Sequence, residues 1–336
     1  MSAWDMIVVG GGAAGFFAAV NAAELRPGLR VLIIEKSTQV LGKVRISGGG
    51  RCNVTHACFD PAQLVQFYPR GGKALRGAFA RFQPRDTVAW FEARGVRLKT
   101  EPDGRMFPVT DSSETIVNCL VAAAQRAGVQ VRLRVSVKNL TVEEDGFGVE
   151  LSTGEHLQAA AVLLATGGDR TALGMSARLG HTVTEPVPSL FTFAIPDPRL
   201  DDLAGISVPD AVLRLPDQKL EARGPLLITH WGLSGPAVLR LSAWGARALF
   251  AAQYHARLTV NWLGDVNGEQ AAAWLREARG RLTRQKCITN PPDSRLPQRL
   301  WTRLALAAGV GDALNWADVS NAALGRLAGE LTRGEY

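Results

Sequence analysis

Apolar residues in the first forty positions follow two spacings. Residues 5–11 (DMIVVGG) and 30–36 (RVLIIEK) are short runs rich in Val and Ile, the pattern of strands buried on both faces. Residues 13–26 (AAGFFAAVNAAELR) are alanine-rich with apolar positions at helical spacing. Strand, glycine turn, helix and strand within about thirty residues predict a βαβ unit with a right-handed crossover, so the fold class is α/β from its first turn. Residues 61–94 then predict helix, a helix capped at DSSET runs to Ala127, and VQVRLRVSVKNLTV, FGVELS and AAAVLLATGG predict strands.

From about Pro186 the texture changes. The segment EPVPSLFTFAIPDPRLDDLAGISVPDAVLRLPD sets prolines between short apolar runs, which predicts a compact β unit with many turns. GLSGPAVLRLSAWGARAL, GEQAAAWLREARGRLTRQ, PQRLWTRLALAAG and NWADVSNAALGRLAGELT predict amphipathic helices, and ARLTVNWL a strand. The proline density places a boundary near residues 185–190 and divides the chain into domains 1–188 and 189–336. Two units suit 336 residues, because single cores stop growing near roughly 250–300 residues.

Composition narrows the class. Hydrophobic residues make up 46% and charged residues 21%, ordinary values for a globular protein. No apolar run approaches the roughly 18 residues of a membrane span. MSAWDMIVVGGG enters a strand without a basic n-region or cleavage site, so a cytoplasmic protein with no membrane partner is expected. Four cysteines, at 52, 58, 119 and 287, are too few and scattered for a disulfide framework and fit a reducing compartment. The net charge of +7 is densest between Arg70 and Lys99. A solvated basic face on a pair of helices is the simpler reading there, which argues against a nucleic-acid partner while leaving room for an anionic ligand.

The glycines carry the chemistry. Gly10, Gly12 and Gly15 form G-x-G-x-x-G between strand and helix: the first permits a tight turn, the second lets backbone approach a pyrophosphate, and the third lets helix and strand pack closely. Glu35 ends the second strand twenty residues after Gly15, where a carboxylate accepts ribose hydroxyls and disfavours a 2′-phosphate. FAD or NAD is therefore preferred over NADP. The second strand leads into KSTQVLGKVRISGGGRCNVTH, a long glycine-rich loop offering backbone N–H groups and the cations Lys43 and Arg51 to a long dinucleotide. AAAVLLATGG ends at Ala165, Thr166, Gly167 and Gly168 and brings backbone towards the same cofactor.

With IVVGGGAAG, IIEKSTQVLGKVRISGGGRCNVTH, GRMFPVTDSSETIVNCL, LLATGG, LGHTVTEPVPSL and THWGLSGPAVLRLS, the chain resembles the bacterial FAD-dependent oxidoreductases of the BaiN-like or aminoacetone oxidase-like group from residue 5 to about 242. The resemblance implies a Rossmann-like FAD-binding domain interrupted by an inserted β-barrel and small helical domain. It sets Gly10, Gly12, Ala13, Ala14 and Gly15 at the FAD pyrophosphate, Glu35 with its neighbour Lys36 at the adenosine ribose, and Val137 at the adenine. Gly42, Lys43, Ser47, Gly48, Gly49, Arg51, Cys52 and Asn53 would lie with Ala165, Thr166 and Gly167 along the pyrophosphate and flavin. Two departures stand out. The loop after ATGG is shortened, which leaves flavin contacts near residues 169–174 open. The family's final GE-x-x-D-x-x-G…GG element has no counterpart before the chain ends at LAGELTRGEY, which implies a shortened chain or an FAD site open on that side.

By the same resemblance the flavin passes a hydride through N5 to or from a small-molecule substrate. The reaction is either oxidation of a small amine by oxygen or reduction of a conjugated enone with NAD(P)H as donor, and the residues leave both open. Two other readings remain: a non-catalytic or RNA-associated FAD protein, and a flavin-linked thiol–disulfide enzyme using Cys52 and Cys58. The second lacks the further strand–GxGxxG–helix unit that such enzymes need. Cys52, His56 and Cys58 are one ligand short of a zinc set, so no metal is expected. Cys119 reads as helix core. No catalytic side chain is identified; His230, in a turn before a helix capped by Ser234, is the candidate for substrate contact, against a default structural role. Trp90, Trp231 and Trp301 read as packing residues.

Overall fold

A computed structural model describes residues 4–336, which form two compact units divided between Thr184 and Glu185. The first begins with β1 (Trp4–Val9), α1 (Ala13–Leu25) and β2 (Val31–Ile34), the βαβ order expected from the apolar spacing. Side chains alternate across the sheet. Val8, Val31 and Ile33 pack with Phe16, Ala19 and Val20 of α1, while Ile7, Val9, Leu32 and Ile34 enter a second core. A strand buried on both faces needs an unbroken apolar run, because each residue of the two-residue period meets a different core. Burial of each such side chain contributes about 1.5–3 kcal/mol relative to exposure.

The expected long loop is partly helical. α2 (Gly42–Gly50) leaves helical geometry at Ser47, and Gly48 and Gly49 take φ of 57° and 69°. β3 (Thr55–His56) follows, and the expected helical stretch 61–94 breaks into α3 (Pro61–Leu64), α4 (Gly72–Arg81) and α5 (Pro84–Glu92). Gly71, at φ 76°, caps α4, and Pro84 starts α5 at a position where its missing N–H costs nothing. β4 (Leu98–Thr100) and β5 (Arg105–Pro108) join β3 in a small sheet. α6 (Ser113–Arg126) starts after Ser112, whose side chain makes no capping hydrogen bond. β6 (Gln130–Arg132), β7 (Val137–Glu143), β8 (Gly146–Leu151), β9 (His156–Leu164) and α7 (Arg170–Arg178) complete the unit. Its main sheet has the order β6-β2-β1-β9-β8-β7, parallel from β6 to β9 and antiparallel from β9 to β7.

The second unit contains β10 (Phe193–Ala194), β11 (Ser207–Leu215), β12 (Leu220–Thr229), β13 (Gly232–Ser234), α8 (Pro236–Ala251), β14 (Thr259–Asn261), α9 (Gly268–Arg281), α10 (Gln298–Ala307), α11 (Asn321–Arg333) and β15 (Gly334–Glu335). Hydrogen bonding runs β10-β13-β12-β11-β14-β15, antiparallel throughout. β10 and β15 are the two edges, so the barrel implied by the resemblance is represented by an open six-stranded sheet. Gly235, at φ 99°, caps α8, and Ser234 belongs to β13 rather than to the helix cap. Trp262, Trp301 and Trp316 are fully buried in one core. Each indole N–H has an acceptor: Tyr336 Oη at 3.2 Å, Cys287 O at 2.8 Å and Asn290 O at 3.0 Å respectively. Satisfied in this way, the rings bury without the cost of an orphaned donor. No helix among the described residues is long and apolar enough to cross a membrane.

Candidate cofactor site

The parallel strands set the site. In register, Val9 of β1 lies opposite Ile34 of β2 on one side and Leu164 of β9 on the other, so three strands end at one level. The chain leaves β1 between partners reached in opposite directions, the switch point at which open α/β sheets bind ligands. A cavity of about 1830 Å³ opens there, lined by residues 10–14, 35–39 and 164–172.

Each glycine of the first run has a distinct reason to lack a side chain. A Cβ on Gly15 would stand 2.0 Å from Gly10 O, and one on Gly10, at φ 114°, would stand 2.6 Å from Ala165 O. These two hold α1 and β9 against the β1 turn. Gly12 caps α1 at φ −86° and makes no side-chain capping bond; nothing lies within 4 Å of where its Cβ would be. Among the described residues, Ala13 and Ala14 make no backbone hydrogen bond through their N–H groups, and both line the cavity. Unpaired N–H donors and the positive end of the α1 dipole suit a phosphate.

Glu35 lines the cavity, with its carboxylate held by the backbone: Gly11 N–H donates to Oε2 at 2.7 Å and Ser37 N–H to Oε1 at 2.8 Å. Burial pushes the acid up, but the hydrogen bonds from Ser37 and Gly11 and the charge of Lys36 outweigh it and hold Glu35 below its ordinary value. An ionised carboxylate keeps lone pairs free for ribose hydroxyls. Lys36 pairs with Asp169 at 2.5 Å, joining the end of β2 to the start of α7 across 133 residues. Asp169 also caps α7 by accepting from Thr171 N–H at 2.9 Å. The hydrogen bond from Lys36, with those from Thr171, holds the Asp169 carboxyl far below the usual carboxylate range. Gly42, Lys43, Val137, Ala165, Thr166 and Gly167 all line the cavity, and Lys43 Nζ lies 3.6 Å from the place of a Gly167 Cβ.

The second glycine run divides. Ser47, Cys52 and Asn53 line the cavity; Gly48, Gly49 and Arg51 do not, and neither does Gly15 of the first run. The expectation for Arg51 is corrected. Its guanidinium pairs with Glu101 at 2.5 Å and Asp111 at 3.6 Å and lies 4.1 Å from the centroid of Phe107, so its charge is already matched within the fold. Cys52 is buried at φ 62°, and burial pushes its thiol up, keeping it protonated. Cys58 stands outside the lining, its sulfur 3.9 Å from Asp60 O, and both cysteines are free. A thiolate–disulfide couple has neither its nucleophile nor its pairing here.

His230 is exposed in the β12–β13 turn of the second unit. Trp231 beside it is 58% exposed, its indole N–H donating to Thr192 Oγ1 at 3.3 Å, so it is not the packing residue its type suggested. Trp90 and Trp301 are buried. The cavity also contains residues that motif spacing does not mark: Phe17, Phe82, Phe91, Lys138, Asp169 and Met175. Phe17 and Phe91 sit at ordinary apolar helix positions, and Asp169 gains its place only through a partner far away in sequence. Among the described residues no group of three or more His, Cys, Asp or Glu side chains is placed to hold a metal.

Comparison with known proteins fixes the kinship. The family model described as HI0933-like protein Rossmann domain matches residues 4–285. The chain belongs to this family. Within it, the unpaired α1 donors, the open space at Gly12 and the ionised Glu35 fit FAD, and the protein is an FAD-dependent oxidoreductase. It is similar to the ribosomal RNA dihydrouridine synthase of Escherichia coli K12, 31% identical over 323 residues, covering 93% of this chain and 76% of that one. The protein of the same name from Haemophilus influenzae is 30% identical, covering 71% of this chain and 61% of that one. The 3-dehydro-bile acid delta(4,6)-reductase of Clostridium scindens is 25% identical, covering 78% of this chain and 65% of that one.

Proposed function

We propose that this HI0933-like protein reduces a carbon–carbon double bond conjugated to a carbonyl, with a nicotinamide dinucleotide as electron donor. The carrying observation is that relatives of two names, a dihydrouridine synthase and a delta(4,6)-reductase, share one chemistry, the addition of two hydrogens across such a bond. Amine oxidation, the other activity implied by the sequence resemblance, has no counterpart among these relatives. Bound FAD supplies hydride transfer at N5. In balance, the substrate gains a hydride at the β-carbon and a proton at the α-carbon, and NAD(P)H with one proton is converted to NAD(P)⁺.

The chain's own residues bind and position. Ala13 and Ala14 N–H groups receive the pyrophosphate, Glu35 the ribose, and the Lys36–Asp169 pair ties two walls of the cavity together. The protonated Cys52 and the backbone-bound Glu35 leave no activated protein nucleophile among these groups, which suits chemistry carried by the cofactor. The test supplies NADH or NADPH anaerobically with a uridine-rich RNA or a steroid dienone as acceptor, and in a separate reaction supplies a primary amine under air without nicotinamide. Gain of two hydrogens by the RNA or the dienone, followed by mass spectrometry, supports the reading. Amine turnover with oxygen uptake, and no saturation of either unsaturated acceptor, overturns it.

A further inference from the structure

Between Asp60 and Asp86 the chain has five cations, Arg70, Lys73, Arg76, Arg81 and Arg85, and no acidic residue. Several cations elsewhere in the same unit are matched: Arg51, Arg94, Arg105 and Arg132 each pair with a carboxylate. Lys73, Arg76 and Arg81 are exposed on α4, and among the described residues none has an acidic partner. At 100° per residue they fall within an arc of about 140°, opposite Leu75 and Phe79, and their Cα positions are spaced by about 4.5 and 7.5 Å along the axis. Lys73 and Arg76 stand three residues apart, where like charges weaken a helix. α4 buries no residue completely, so packing does not account for the charge.

The basic face ends at an aromatic ring on the cavity. Phe82 closes α4, is 41% exposed and lines the cofactor cavity. Its ring meets Phe17 edge-on at 5.5 Å, and Phe17 in turn packs on Trp90 at 5.0 Å, which fixes its orientation. Exposed Phe67 and Tyr68 lie just before the helix. Backbone-tracking cations interleaved with exposed rings are the means by which proteins hold single-stranded nucleic acid, the rings stacking on bases and the cations on phosphates.

We infer that the exposed face of α4, with Phe82 at its end, docks a single-stranded RNA segment and delivers one of its bases to the cavity. The inference rests on the reductase reading and names its substrate class as a pyrimidine base within RNA. Lys73, Arg76 and Arg81 hold successive phosphates, and Phe82 stacks on the base next to or within the reacting position. An acidic protein surface would use the cations but leave the exposed ring without a role.

The test measures anisotropy of a fluorescein-labelled, uridine-rich single-stranded RNA on the full chain across a salt series, beside dihydrouridine formation with the nicotinamide donor. Each phosphate contact on a single strand contributes about 0.7 to the slope of log affinity against log salt, so Lys73→Ala/Arg76→Ala/Arg81→Ala should flatten it by about 2. The flavin spectrum should not change, because none of the three lines the cavity. Phe82→Ala should weaken RNA binding by roughly tenfold, with Phe82→Trp restoring it. An unchanged slope and KM in the triple variant, while wild type still forms dihydrouridine, overturns the docking surface and leaves the reductase reading intact. RNA binding with the expected slope but no dihydrouridine overturns delivery of a base to the cavity, and if the steroid dienone is not saturated either, the reductase reading falls with it. Equal affinity for polyglutamate, or no RNA binding at low salt, overturns RNA as the occupant.

Discussion

Gly10 and Gly12 bring backbone to the cofactor cavity, with Gly15 packed behind them, whereas Gly48, Gly49 and Gly50 form a left-handed turn at φ 57°, 69° and 84°, all three of whose glycines stand outside the lining. In the first run the missing side chains make room: for β9 at Gly10, for the β1 turn at Gly15 and for a ligand at Gly12. In the second run the gain is conformational. The chain reverses between Ser47 and Asn53, so that both line the cavity, and Arg51 at the turn is held by Glu101, Asp111 and Phe107. Two glycine triplets of similar appearance therefore differ in what they supply: close approach around the cavity in the first, and a run of three positive φ angles in the second, with close approach added at Gly48. Only the first reads as a phosphate site.

Substitutions that add a single methyl group separate these roles. The largest effect is expected at Gly15→Ala, where the new Cβ would meet Gly10 O at 2.0 Å. Strand and helix must move apart, so melting should show a loss of at least about 1–3 kcal/mol, with the flavin lost as well. At Gly48→Ala the added carbon meets Phe107 at 2.7 Å and Asn53 N at 2.9 Å, on top of the positive φ. Gly49→Ala has positive φ but open space, so its cost should be only the conformational 1–2 kcal/mol, roughly. A thermal melt that ranks Gly49→Ala above Gly48→Ala in damage would contradict this division of roles.

A smaller effect tests the acid that bridges the β1 and β2 turns. Glu35 titrates below its ordinary value when folded, so its contribution is complete above the unfolded pKa, near 4.3, and is lost as pH falls through the lower folded value. Glu35→Gln offers one acceptor oxygen to two N–H donors, so flavin affinity at neutral pH should fall by roughly tenfold. The acid-side loss of stability should shrink in the variant. Identical acid unfolding curves for wild type and variant would show that Glu35 is not what couples this site to pH.

Local patterns made the first βαβ unit legible, because a buried two-sided strand, an alanine-rich helix and three spaced glycines each carry their meaning within a few residues. Proline punctuation likewise put the boundary near residues 185–190, close to the division observed after Thr184. What escaped depends on distant partners. Arg51 looks like a phosphate ligand until Glu101, fifty residues on, and Asp111 are seen beside it. Asp169 joins the site only through Lys36, 133 residues away. Ser234 resembles a helix cap, yet pairing of β13 with β10 and β12 draws it into a strand and leaves the cap to Gly235. Trp231 reads as core by type, and the turn before β13 sets it in solvent.

Gly12 offers the most direct test, because at this position the fold and the cofactor make opposite demands. A side chain there meets nothing within 4 Å, its φ of −86° suits any residue, and Asp is among the preferred helix caps. The measurement is FAD affinity of Gly12→Asp by flavin fluorescence titration, paired with its melting temperature. The expected result is a melting temperature equal to or above that of the flavin-free wild type, with FAD affinity reduced at least about 100-fold by the carboxylate at the pyrophosphate position. FAD binding as tight as in wild type would contradict the placement of the pyrophosphate at the start of α1.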